Sequence, residues 1–149
     1  MVKIFLLIRK VINEHNWTKP ILYPIYRLVG LLYSSQIPLT SELGNNLKFM
    51  HGLYGIFIAG GAKIGDNVTF YHHVTLGGVN SEGSKKRGAP VIGNNCILYP
   101  GCKIIGAVKI GNNCQIGPNV VISFDIPDNT TVVYNKESFR MIKNESKPT

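Results

Sequence analysis

The stretch VIGNNCILYPGCKIIGAVKIGNNCQIGPNVVIS, residues 91–123, decides the fold. Within it an aliphatic residue returns at every sixth position: Ile92, Leu98, Ile104, Ile110, Ile116 and Ile122. Four positions after each stands a second small or aliphatic residue: Cys96, Cys102, Val108, Cys114, Val120 and Ile126. A period of six matches neither the helical turn nor the alternation of an ordinary strand. It fits a solenoid of short strands joined by turns, each strand giving one or two side chains to a shared interior. The triplets Gly65-Asp66-Asn67, Gly93-Asn94-Asn95 and Gly111-Asn112-Asn113 supply corner residues that tolerate a left-handed backbone. The three cysteines fall on inward positions, where a thiol is a compact hydrophobe, and none has a charged activating context in sequence.

The same register extends upstream through Ile64 with Val68, Phe70 with Val74, and Leu76. It continues more faintly through Ile37, Leu43 with Leu47, and Phe49 with Leu53. Two interruptions stand out. From Phe49 to Ile58 the spacing is nine rather than six, which predicts a three-residue bulge around residues 52–55. Residues 79–90, VNSEGSKKRGAP, are polar, glycine-rich and basic, with no core-facing position until Val91. They predict a loop thrown out from the wall, the usual place for ligand contacts.

Residues 1–35 read differently. VKIFLLIRKVINEHNW carries a dense apolar helical stripe, and ILYPIYRLVGLLYSS is apolar nearly all round, with Lys19-Pro20 expected to separate the two. Neither run is long enough to span a membrane, and no small-residue cleavage site follows the first. The preferred reading is two helices packed on the domain or on a sister chain. The other is a basic helix lying on the inner membrane surface through Lys3, Arg9, Lys10, Lys19 and Arg27. The chain thus divides into a helical segment (1–35), a solenoid domain (36–132, with the loop at 79–90) and a tail (133–149).

The 149 residues are 44% apolar, enough for one domain with a core and too apolar for disorder. Three cysteines without paired spacing argue against a disulfide framework or a zinc finger and suit a reducing cytosol. The net charge of +8 is compatible with nucleic acid, a membrane surface or a phosphate-bearing small ligand.

The string NVTFYHHVTLGG (67–78), the loop after it, the restart at Pro90, Met50-His51-Gly52 and GCKIIG (101–106) carry a resemblance. Over residues 36–132 the chain resembles hexapeptide-repeat acyltransferases, the serine O-acetyltransferases and short polysaccharide O-acetyltransferases in particular. The resemblance implies a mainly β, left-handed parallel β-helix, a homotrimer, and acetyl-CoA as co-substrate in a cleft between subunits. No metal and no nucleic-acid partner are expected, and the cysteine usage points to a cytoplasmic protein, with the inner membrane face as an alternative setting for the basic residues 1–35.

His51 matches the family's general base, although the glycine that follows it, Gly55, comes one residue late. Acetyl transfer to a hydroxyl needs a base near the working pH, and imidazole is one. The carboxylate that partners this base in the serine enzymes is Gln36 here, which could fix the histidine tautomer instead. Met50 replaces an aspartate, and the loop lacks the family's acceptor-binding histidine. These departures turn the expected acceptor toward a sugar or polysaccharide-precursor hydroxyl, with serine as the alternative. A non-catalytic trimeric scaffold and a zinc protein of the γ-class carbonic anhydrase kind are less favoured. Since adjacent strand residues face opposite ways, one of His72 and His73 is expected to face the cleft, and register selects His72. For acetyl-CoA the resemblance suggests Gly77, Gly78, Gly101 and Gly106 as backbone contacts and Lys103 or Lys109 on the phosphates, with Lys85, Lys86 and Arg87 of the loop as alternative anion contacts. Backbone amides near Gly77 and Gly78 are expected to hold the oxyanion. The family's Gly-x-Pro-Ala segment, which packs on adenine, is missing, and Tyr134 is the candidate substitute.

Overall fold

A computed structural model describes residues 2–135 and Glu137. Two helices, α1 (Val2–Glu14) and α2 (Lys19–Leu32), precede a column of short parallel strands. The first coil holds β1 (Glu42–Leu43), β2 (Lys48–Leu53) and β3 (Phe57–Ile58). The second holds β4 (Lys63–Ile64), β5 (Thr69–Phe70) and β6 (Thr75–Gly77). The third holds β7 (Val91–Ile92), β8 (Ile97–Leu98) and β9 (Lys103–Ile105). The fourth holds β10 (Lys109–Ile110), β11 (Gln115–Ile116) and β12 (Val121–Ile122), and β13 (Thr131–Val132) follows. Strands stack coil on coil into three sheets, ordered β1-β4-β7-β10, β13-β11-β8-β5-β2 and β12-β9-β6-β3.

Register explains both interruptions. From the third coil to the fourth, Val91 pairs with Lys109 and Ile97 with Gln115, an offset of three whole hexapeptides. Between the first two coils Phe57 pairs with Thr75 at that same offset, whereas Lys48 pairs with Thr69 at an offset longer by three. The extra residues therefore lie between Lys48 and Phe57, where the bulge is predicted. The pairing of Thr75 with Lys103 exceeds three hexapeptides by ten, which is the length that leaves the wall after β6. Val79 and Gly88 pair antiparallel at the neck of that loop.

The predicted inward positions form the core. Leu98, Ile104, Ile110 and Ile116 are fully buried, as are Cys96, Cys102 and Cys114. Asn46, Asn67, Asn95, Asn113 and Asn129 all take a left-handed backbone, stack at one corner, and join side chain to side chain at 2.9–3.3 Å. Asparagine suits this corner because its short amide tolerates positive φ and bridges to the next coil. Beside the ladder, a Cβ on Gly93 would stand 2.6 Å from the carbonyl oxygen of Gly111.

The helices pack on the column: Phe5, Ile12 and Tyr26 join the same apolar core. Arg9 fastens them there. Its guanidinium donates to the carbonyls of Pro38 (2.6 Å), Leu39 (3.3 Å) and Ser41, and the residue is only 5% exposed. Arg9 therefore does not belong to the exposed basic face to which the pattern of its helix assigns it. Its acceptors come from far along the chain, beyond the reach of helical periodicity. Lys19-Pro20 opens α2 rather than interrupting a helix, and the break is a 3-10 turn at Asn16–Thr18. No helix among the described residues is long and apolar enough to cross a membrane. The 133–149 tail lies outside the described residues except for 133–135 and Glu137.

Candidate active site

His51 lies on β2, where the chain runs into the bulge. Gly52 and Gly55, at φ +70° and +64°, turn it back toward β3. The glycine at 55 is required by contact as well as by φ. A Cβ there would stand 2.2 Å from Nδ1 of His73. The bulge is anchored to the helical segment, since Gly55 N–H donates to the Tyr33 carbonyl at 3.0 Å and the rings of Tyr33 and Tyr54 meet edge to face.

The His51 side chain is exposed, and its ring stacks on that of His72 with centroids 4.9 Å apart and planes 10° from parallel. Tyr71 meets His51 edge-on at 5.7 Å and itself stacks on Tyr99. His72 is half-buried, and its Nδ1 is buried with no hydrogen-bond partner. The strand-alternation argument for His72 and His73 does not apply, because the two residues form a turn with His73 at φ +59°. Their rings stand nearly at right angles rather than on opposite faces of a strand. Sequence reasoning misses Tyr71 and the stacking of His72 on His51. The signal for the stacking is the coil offset: the step that carries Lys48 onto Thr69 carries His51 onto His72.

Gln36 lies elsewhere. It bridges Phe57 at the edge of the β3 sheet, and no hydrogen bond joins its side chain to His51 among the described residues. Gly77, Gly78 and Gly106 meet at the root of the loop. Gly106 N–H donates to the Gly77 carbonyl at 2.9 Å, and Ala107 N–H to the Lys86 carbonyl at 2.9 Å. Gly106 thus has a committed amide and is buried beneath the loop, so it offers neither a free donor nor an open surface. Gly101 belongs to the histidine corner, with its N–H on the His72 carbonyl at 3.1 Å, and Lys103 Nζ donates to the Gly101 carbonyl at 2.9 Å. Lys109 is on another face, in β10. Lys85, Lys86 and Arg87 lie on the loop and form no ion pair among the described residues. The candidate residues therefore fall into a histidine corner with Gly101 and Lys103, a loop root with its cations, and two outliers, Gln36 and Lys109.

Burial pushes the Cys102 thiol up to about 12 and Cys96 up to about 11, so neither is a nucleophile near neutral pH. No cluster of three or more His, Cys, Asp or Glu side chains that could hold a metal occurs among the described residues.

Residues 89–123 match the family described as bacterial transferase hexapeptide (six repeats). Over that segment the column is similar to the bacterial transferase hexapeptide repeat. Serine acetyltransferase of Helicobacter pylori is 38% identical over 96 residues, which is 64% of this chain and 54% of that protein. Serine acetyltransferase of Staphylococcus epidermidis is 43% identical over 93 residues, 62% of this chain and 42% of that protein. The crystal structure of Neisseria gonorrhoeae serine acetyltransferase in complex with serine superposes with a TM-score of 0.71 at 28% identity, covering 89% of this chain and 52% of that one. The hexapeptide chain spans about half the length of the curated relatives it matches. Its fold is the left-handed parallel β-helix with a short helical segment and one protruding loop, as the repeat and the resemblance lead one to expect. The relatives carry the name of serine, the acceptor that the sequence reading places second to a sugar hydroxyl.

Proposed function

We propose that the protein is an acetyl-CoA-dependent O-acetyltransferase whose acceptor is the hydroxyl of serine. The relatives favour serine over the sugar hydroxyl, whose claim leans on single departures at Gln36 and in the loop rather than on the repeat as a whole. The observation that carries the reading is the placement of His51: an exposed imidazole on the bulge of a hexapeptide column, backed by His72 and Tyr71. His51 takes the proton of the serine hydroxyl as its oxygen bonds to the thioester carbonyl carbon. The carbon–sulfur bond then breaks, and the departing thiolate of CoA receives that proton from His51. No residue of this chain forms a covalent intermediate in this scheme, consistent with buried cysteines.

Gly77, Gly78 and the loop form the acyl-donor side of the proposal, with Lys103 and the loop cations Lys85, Lys86 and Arg87 for phosphates. The same three loop cations are suited to the serine carboxylate in place of the histidine that the loop lacks. Gln36, at the edge of the β3 sheet, and Lys109, on another face, stand apart. The homotrimer implied by the family resemblance belongs to this proposal, and the exposed apolar side chains Met50, Tyr54 and Phe57 near the bulge support a site covered by a neighbouring chain.

Acetyl-CoA thiol release with L-serine and with a panel of free sugars and nucleotide sugars, products read by mass spectrometry, tests the reading. O-acetylserine is the expected product. An acetylated sugar in its place overturns the acceptor, and no product with any acceptor returns the column to a scaffold.

A further inference from the structure

We propose that His72 is a second hydrogen-bonding group of the site, a fixed imidazole that presents Nε2–H to the acyl carbonyl oxygen while His51 takes the hydroxyl proton. This rests on the acetyl-transfer reading above. Among the described side chains, His72 Nδ1 is the one buried nitrogen or oxygen that has no partner. A buried N–H left without an acceptor is among the rarest and costliest features of a folded chain, and a bare lone pair is better tolerated. The proton therefore belongs on Nε2, the nitrogen that is not sequestered in this way. The ring cannot easily exchange its two edges. It is held by the face of His51 at 4.9 Å and by His73, nearly at right angles, at 5.4 Å. Its backbone is held too, since the His72 carbonyl accepts Gly101 N–H at 3.1 Å.

Two parallel imidazoles at this spacing can address two neighbouring oxygens at one reacting carbon. The base acts on the attacking oxygen, and the donor on the carbonyl oxygen that gains charge in the transition state. A neutral imidazole can play the second part, provided that it is oriented in advance. The structure supplies that orientation through the stack on His51 and the edge contact with His73.

Two measurements on the full chain test the assignment. Long-range 15N–1H correlation spectra of the wild-type protein, without substrate, read the His72 tautomer directly; proton on Nε2 is expected. In steady-state assays with acetyl-CoA and serine, His72→Ala lowers kcat by about 10- to 100-fold with both KM values little changed, as for loss of one preorganised donor. His72→Gln, whose amide N–H reaches toward the Nε2 position, recovers most of that loss, whereas His72→Asn does not. A proton on Nδ1, or a wild-type kcat in His72→Ala, overturns the proposal. If wild-type protein transfers no acetyl group to any acceptor, the acetyl-transfer reading falls, while the spectrum still decides the tautomer.

Discussion

The upper and lower halves of the column obey the same hexapeptide rule and differ in one respect. From Val91 onward the third and fourth coils repeat at three whole hexapeptides, without insertion. Before Val91, the first coil step carries an extra three positions on one sheet and the next carries an extra ten on another. The regular half is a stack of buried Ile, Leu, Val and Cys, and the asparagine ladder runs along both halves. The interrupted half carries His51 on one insertion, stacked against His72, and three cations on the other. Regular coils hold a wall in place; each departure from the period lets side chains leave it.

If that division is right, the two halves should respond to mutation in opposite ways. Ile104→Ala, in the regular half, removes a fully buried side chain. It should lower unfolding stability by about 2–5 kcal/mol, read by denaturant titration, with KM values unchanged at a temperature where the variant is folded. Gly93→Ala forces a methyl against the Gly111 carbonyl and should cost about 1–3 kcal/mol, the range for overpacking. A wild-type melting temperature for either variant would break the comparison from the structural side.

The buried thiols add a pH signature to the regular half. Cys102 and Cys96 hold their protons in the folded state up to about 12 and about 11, whereas an ordinary thiol ionises at 9.0. The folded chain then binds more protons than the unfolded chain above that ordinary value. This contribution to stability is fully present below pH 9.0 and should decline as pH rises from there toward about 12. Serine substitution of both cysteines should flatten the alkaline limb of a stability–pH curve. The smallest effect lies in the interrupted half: Lys85→Ala should raise KM for acetyl-CoA about two- to fivefold, as for an exposed ion pair, with no change in melting temperature.

Much of this contrast can be read in the residues themselves. The six-residue return of Ile92 through Ile122 names the inward positions, and the lengthened gap after Phe49 and the apolar silence of residues 79–90 name both insertions. Periodicity sees only a chain's own pitch, however, so contacts set by where coils land on one another need the offsets as well. His51 over His72 is such a contact, visible once the Lys48-to-Thr69 step is applied to His51. Arg9 is harder: its burial depends on carbonyls of Pro38, Leu39 and Ser41 converging on it, and no local pattern announces an acceptor cage. Strand alternation fails at His72 and His73 because the pair forms a corner, where neighbouring side chains need not point opposite ways. The acceptor is hard to read for a related reason. Gln36 and the loop are local departures, and they outweigh the whole repeat only when each is taken alone.

The central claim is that an exposed histidine on the first interruption does the chemistry. Its most direct test is the rate of CoA thiol release from acetyl-CoA with saturating L-serine, wild type against His51→Ala, with melting temperatures measured on the same samples. Loss of about 10²- to 10⁴-fold in rate, the range for removing a positioned general base, at an unchanged melting temperature is the predicted result. A variant that turns over at the wild-type rate would contradict the account.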